Sequence, residues 1–162
     1  MGRSTIDIFL QPGEYFVGGE DFSIRTLLGS CVSITLWHPR LRIGAMSHYL
    51  LPAPLNMRCG APDARYGEDA MALMAAELQR LGAALQECEG KIFGGASMFP
   101  EQRDINFQIG RRNGETARRL LQAHGIPVVS QSLYGEGHRQ IVFDIATGHV
   151  WSRQVKPTPA GR

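Results

Sequence analysis

The step Leu27-Leu28-Gly29-Ser30-Cys31-Val32 joins two apolar runs through a glycine, a serine and a cysteine. A thiol placed there lies at a tight turn or a strand start, where Gly29 lets the backbone bend and lets another chain come close. Backbone N–H groups in such a bend can converge on one point and receive an oxyanion. The pattern equally suits a small buried residue opening a strand, since free cysteine is among the most buried residue types. His48, in Gly44-Ala45-Met46-Ser47-His48-Tyr49-Leu50-Leu51-Pro52, is the complementary candidate. If residues 32–37 and 43–51 pair as a hairpin about residues 39–42, antiparallel pairing sets Cys31 and His48 on neighbouring strand ends. The chemistry expected of that spacing is a thiolate–imidazolium ion pair, the reactive form of a cysteine nucleophile. A structural histidine donating to a backbone carbonyl fits it too.

Gly94-Gly95-Ala96-Ser97-Met98-Phe99 can bring backbone or a hydroxyl close to a ligand, or can be a tight strand exit. It matches neither phosphate-loop pattern. His38 precedes a proline in a turn and His124 ends a helix, both structural settings. Cys59 and Cys88 carry no catalytic case. Cys31, His38, His48 and Cys59 lack the short spacing of a zinc site, so neither a metal nor a cofactor is expected.

The elements that would position these residues alternate in kind. Residues 6–10, 15–17, 24–28, 32–37 and 43–51 are short apolar runs punctuated by Pro12-Gly13, Gly18-Gly19, Gly29 and Pro39, which reads as strands. Residues 56–65, rich in Pro, Gly and Ala, read as a mobile loop. Met71, Met74, Leu78 and Leu81 recur at helical spacing, with Glu68 and Asp69 in the first turn and Gly82 as the stop. A strand is expected over 85–93 and a second helix over about 110–124. Strands follow over 128–133, 140–145 and 150–155, the last two joined at Thr147-Gly148. The order predicts one mixed α/β (α+β) domain over residues 1–155 rather than a doubly wound sheet, with 156–162 as a flexible tail.

The chain has 162 residues, 43% hydrophobic and 20% charged, with a net charge of +2, values ordinary for a globular protein. Arginines pair at 111–112 and 118–119 but form no basic stripe, which argues against nucleic acid. No run is long and apolar enough to cross a bilayer, and the N-terminus lacks a secretion-signal pattern. A cytoplasmic location is therefore expected. Three unevenly spaced cysteines do not suggest a disulfide framework.

Taken in order, the motifs resemble those of the chemoreceptor glutamine deamidase family CheD. They are Gly13-Glu14-Tyr15, Leu28-Gly29-Ser30-Cys31-Val32, 44–52 as quoted, Arg65-Tyr66, Lys91-Ile92-Phe93-Gly94-Gly95-Ala96-Ser97-Met98-Phe99, Ile109-Gly110-Arg111-Arg112-Asn113 and Arg139-Gln140-Ile141-Val142-Phe143-Asp144. The resemblance implies layered β-sheets in a sandwich flanked by two main helices. It also implies an amidohydrolase that converts glutamines of methyl-accepting chemotaxis receptors to glutamate, without cofactor. On it, Cys31 is the nucleophile, His48 its acid–base partner and Thr26 the third member. Thr26 stands five residues before Cys31, where six would be expected and Arg25 stands. Gly29, Ser30, Ser47, Gly95 and Ser97 would shape the site. A CheC-type phosphatase is an implied partner, and another thiol hydrolase or a non-catalytic regulator are the rival readings. Ser132-Leu133-Tyr134-Gly135 departs from the family pattern just before Arg139.

Overall fold

The computed structural model describes residues 4–55, 60–98 and 103–156, the side chains of 103–107 excepted. Residues 56–59 of the expected loop, Cys59 among them, and the tail beyond Lys156 lie outside that range. Strands β1 (Ile6–Phe9), β3 (Phe22–Leu28), β8 (His138–Asp144) and β9 (Val150–Val155) form a four-stranded sheet in the order β1-β3-β8-β9. Strands β2 (Tyr15–Gly19), β5 (Ile43–Ser47), β4 (Val32–His38), β6 (Glu89–Gly94) and β7 (Val128–Leu133) form a five-stranded sheet in that order. Helices α1 (Gly67–Arg80) and α2 (Arg103–Ala123) both pack on the five-stranded sheet, α1 against β5 and β2, α2 against β6 and β4. The layers are sheet, sheet, helices, which is the expected mixed α+β sandwich with two main helices.

Strand β4 shows how the sequence builds two cores at once. Val32, Ile34 and Leu36 join Ala45, Met71, Met74, Leu78 and Leu121 in the core between sheet and helices. The alternate positions face the other sheet, where Cys31 and Trp37 pack against Ile24, Leu28, Met46, Phe93, Ile141 and Phe143. Fully burying a side chain such as Met71 or Leu78 is worth roughly 1.5–3 kcal/mol, so each core anchors its layer.

Several boundaries differ from the sequence reading. Helix α2 begins at Arg103 rather than near residue 110. Gly110 depresses helix propensity, but it sits inside the helix because the Gly95 backbone passes against it, leaving no room for a Cβ. Leu81 caps α1 and is 43% exposed instead of completing the apolar stripe. A 3-10 turn, Leu85–Glu87, precedes β6. Strand β5 stops at Ser47, and only single bridges at Tyr49 and Leu51 continue its line.

Candidate active site

The register of β4 and β5 decides how Cys31 meets His48. Thr35 lies opposite Met46, and a reciprocal bridge puts Val32 opposite Tyr49, with N–H to carbonyl distances of 3.1 and 3.0 Å. Continuing that register sets Ser33 opposite His48 and Cys31 opposite Leu50. Cys31 and His48 are thus diagonal neighbours on the face that looks toward the four-stranded sheet, roughly 7–8 Å apart at the backbone in such pairs. The expected hairpin forms, one diagonal step from direct opposition.

From the facing sheet, β3 supplies Thr26. Its inward positions are Ile24, Thr26 and Leu28, while Arg25 and Leu27 are exposed. Strand parity therefore selects Thr26 over Arg25. Thr26 Oγ1 donates to the Leu10 carbonyl at 2.7 Å and lies 2.7 Å from His48 Nδ1. A hydroxyl has one proton, and Leu10 takes it, so Nδ1 must carry the hydrogen and donate to Thr26. Nε2 is left as the basic nitrogen. Both side chains belong to residues only 2% exposed.

The charge state differs from the sequence expectation. Burial pushes the Cys31 thiol up to about 11, its own backbone amide pulling weakly the other way. Burial also lowers His48 to about 4. Among the described residues no hydrogen bond joins Cys31 Sγ to His48. Both shifts favour a neutral thiol beside a neutral imidazole over the expected ion pair. Desolvation penalises each charged form. Cys31 as a residue is nonetheless only partly buried.

The Cys31 bend is held by its carbonyls. Gly29 O accepts from Ala96 N at 2.9 Å, Ser30 O from Asn113 Nδ2 at 3.0 Å, and Cys31 O from Gly95 N at 2.9 Å. Gly94, at φ +114°, runs so close that a Cβ would collide with the Cys31 carbonyl oxygen. Gly94-Gly95-Ala96 is thus a tight strand exit that straps the cysteine bend. Gly29 in turn leaves room for Met98, whose Cγ would lie 2.6 Å from an added Cβ. Behind the strap, Arg139 is 2% exposed and donates to Gly94 O at 3.0 Å and Tyr134 O at 2.9 Å, with Nε unpartnered. Burial lowers its pKa. Tyr134 itself sits at φ +70° and rests its ring on Gly95 and Gly114.

One expected site-shaping residue lies elsewhere. Ser47 belongs to the opposite face of β5 and bonds the Ile34 backbone, accepting from its N–H at 3.1 Å. Ser97 is 4% exposed, and its backbone pairs with Gly135 and Gly137. Sequence reasoning assigned no role to Asn113 or Leu10. An asparagine followed by glycine inside a helix is unfavourable, and that misfit, beside its place in the 109–113 motif, was a sign of Asn113's use. Nothing in the sequence pointed to a main-chain carbonyl. Among the described residues no group of His, Cys, Asp and Glu could hold a metal ion.

A mixed α+β sandwich thus gathers a partly buried thiol, a buried imidazole and a hydroxyl where its two sheets face each other. Residues 50–154 match the family model described as CheD chemotactic sensory transduction. That stretch begins past Cys31 and His48. A probable chemoreceptor glutamine deamidase CheD of Albidiferax ferrireducens is 59% identical over 96% of this chain and 91% of its own. One from Chromobacterium violaceum is 40% identical over 91% of this chain and 77% of its own. A solved Neisseria meningitidis structure is 10% identical, with a TM-score of 0.45 over 85% of this chain and 63% of its own, too distant to bear on the fold. The chain belongs to the CheD family.

Proposed function

We propose that this protein hydrolyses glutamine side chains of methyl-accepting chemoreceptors to glutamate, with Cys31 as nucleophile, His48 as general base and acid, and Thr26 orienting the ring. The names carried by its relatives supply the reaction and the substrate. The observation that carries the residue roles is the Leu10–Thr26–His48 chain, which leaves Nε2 basic on the face that bears Cys31.

Because thiol and imidazole rest neutral, proton transfer accompanies attack. Cys31 Sγ bonds to the carboxamide carbon as its proton passes to Nε2. The carbonyl oxygen becomes an oxyanion and takes hydrogen bonds from the Ser30 and Cys31 amides, which no backbone carbonyl among the described residues engages. The C–N bond then breaks as His48 gives the proton to departing ammonia, leaving a thioester. Nε2 deprotonates a water that attacks the thioester carbon, and glutamate leaves as the thiol regains its proton.

Cys31→Ala is expected to abolish ammonia release from a glutamine-bearing chemoreceptor fragment. Retained release would remove Cys31 from the mechanism. Mass spectrometry of the treated fragment separates the thiol-peptidase reading, because deamidation leaves the backbone whole. A cytoplasmic setting fits this substrate, and no described helix is long and apolar enough to cross a membrane. The complex with a CheC-type phosphatase rests on the family resemblance alone. Co-purification of the two proteins tests it.

A further inference from the structure

The bend that carries Cys31 is gripped from the helix side by one side chain. Asn113 of α2 is completely buried, and its Nδ2 donates both to Ser30 O at 3.0 Å and to Leu50 O at 2.8 Å. Those two carbonyls are not arbitrary. Ser30 C=O shares a peptide group with the Cys31 N–H, and Leu50 is the register neighbour of Cys31 on the strand line that carries His48. In a trans peptide the C=O and N–H point in opposite directions. Holding Ser30 O against the helix therefore turns the Cys31 N–H away from it, to the side of its own sulfur, on which that amide already acts. The second bond fixes the cysteine bend against the His48 segment.

The rest of the surroundings keep this grip in place. The Tyr49 hydroxyl donates to the Asn113 main-chain carbonyl, tying α2 to the residue beside His48. Among the described residues, Asn113 Oδ1 has no hydrogen-bond partner despite full burial. An unsatisfied buried acceptor is costly, and an apolar residue of similar size would not carry that cost. What the asparagine offers, and an apolar residue lacks, is two donors spread across two strands.

We propose that Asn113 is a positioning residue for deamidation: it aims the Cys31 amide at the developing oxyanion and holds the thiol in register with His48. This rests on the reading of Cys31 as a deamidase nucleophile. Asn113 touches no reacting atom. It acts through the Ser30–Cys31 peptide.

The test compares two reactions of the same sulfur in Asn113→Ala and Asn113→Asp. Ammonia release from a glutamine-bearing chemoreceptor fragment passes through an oxyanion, whereas alkylation of Cys31 by iodoacetamide does not. Loss of one oxyanion donor typically costs about 10²–10³ in turnover, so kcat is expected to fall by roughly 10²-fold. KM is expected to stay within about twofold and alkylation within about threefold of the unaltered protein. A fall in kcat beside a rise in alkylation well beyond threefold would mean that Asn113 only holds the fold, since a loosened fold exposes the thiol, and an unchanged kcat would mean that the amide needs no aiming. Either overturns the proposal. The unaltered protein offers a check that needs no variant: a scalar coupling across the hydrogen bond from Asn113 Nδ2 to the Ser30 carbonyl carbon is expected, and its absence removes the premise. Unaltered protein that releases no ammonia, or Cys31→Ala that still does, sinks the deamidase reading instead while leaving that coupling in place.

Discussion

At the scale of single residues, one proton on one ring sets the chemistry. Thr26 can accept from His48 Nδ1 only because Leu10 takes its own hydrogen. Thr26→Val removes both bonds and leaves a buried N–H and a carbonyl unpaired, a loss of about 1–3 kcal/mol in stability per group. A ring free to turn no longer presents Nε2 to the sulfur, so kcat is expected to fall about tenfold to a hundredfold in steady-state assays, as for other general-base losses. Thr26→Ser should retain most of both. The thiol offers a second measurement. With Cys31 raised to about 11, alkylation should keep climbing with pH through 9 and 10 and show no plateau near neutrality. His48→Ala should leave that profile nearly unchanged, because burial rather than a cation governs the thiol. A plateau below pH 8 that disappears in His48→Ala would restore the ion pair and refute this account.

At the scale of elements, the site is a join between strand ends rather than a pocket within one sheet. The residue spacing of Cys31 and His48 about the β4–β5 turn was readable from the sequence, since antiparallel pairing follows from it. The strap was not. Gly94-Gly95 read equally well as a ligand loop, and only its passage over the Cys31 carbonyl shows what two glycines are for. Gly94→Ala would place a Cβ against that oxygen in a left-handed backbone, so it is expected to cost more than about 3 kcal/mol and to give little soluble protein, measured by denaturant unfolding. Near-normal stability would show that the strap can move aside. Arg139 belongs to the same strap: its guanidinium meets carbonyl oxygens alone among the described residues, filling the space behind Gly94.

At the scale of the whole molecule, burying His48 between the sheets links folding to pH. Its folded pKa of about 4 lies below the value of 6.5 expected when unfolded. Above pH 6.5 both states hold a neutral ring and the site imposes no pH dependence. As pH falls from 6.5 toward 4, the unfolded chain takes up a proton that the folded one refuses. Stability therefore drops over that window, by roughly 3 kcal/mol at about 1.4 kcal/mol per unit. Urea unfolding at pH 7 and pH 4.5 should show the loss, and His48→Gln should remove most of it. Equal losses in both proteins would assign the acid sensitivity to other groups.

Backbone period and turn length alone carried the alternation of apolar and small polar residues that makes strands, the helical stripe of Met71, Met74 and Leu78, and the candidate thiol with its histidine. Those are local or near-local facts. Which of Arg25 and Thr26 faces inward depended on how β3 sits in its sheet, and the Asn113 grip depended on a helix more than 80 residues from Ser30 in the chain. The charge state of Cys31 and His48 was likewise a tertiary decision. The spacing about the β4–β5 turn suggested mutual stabilisation of charges, but the packing of two sheets over the pair removed water from both, and desolvation disfavours each charged form.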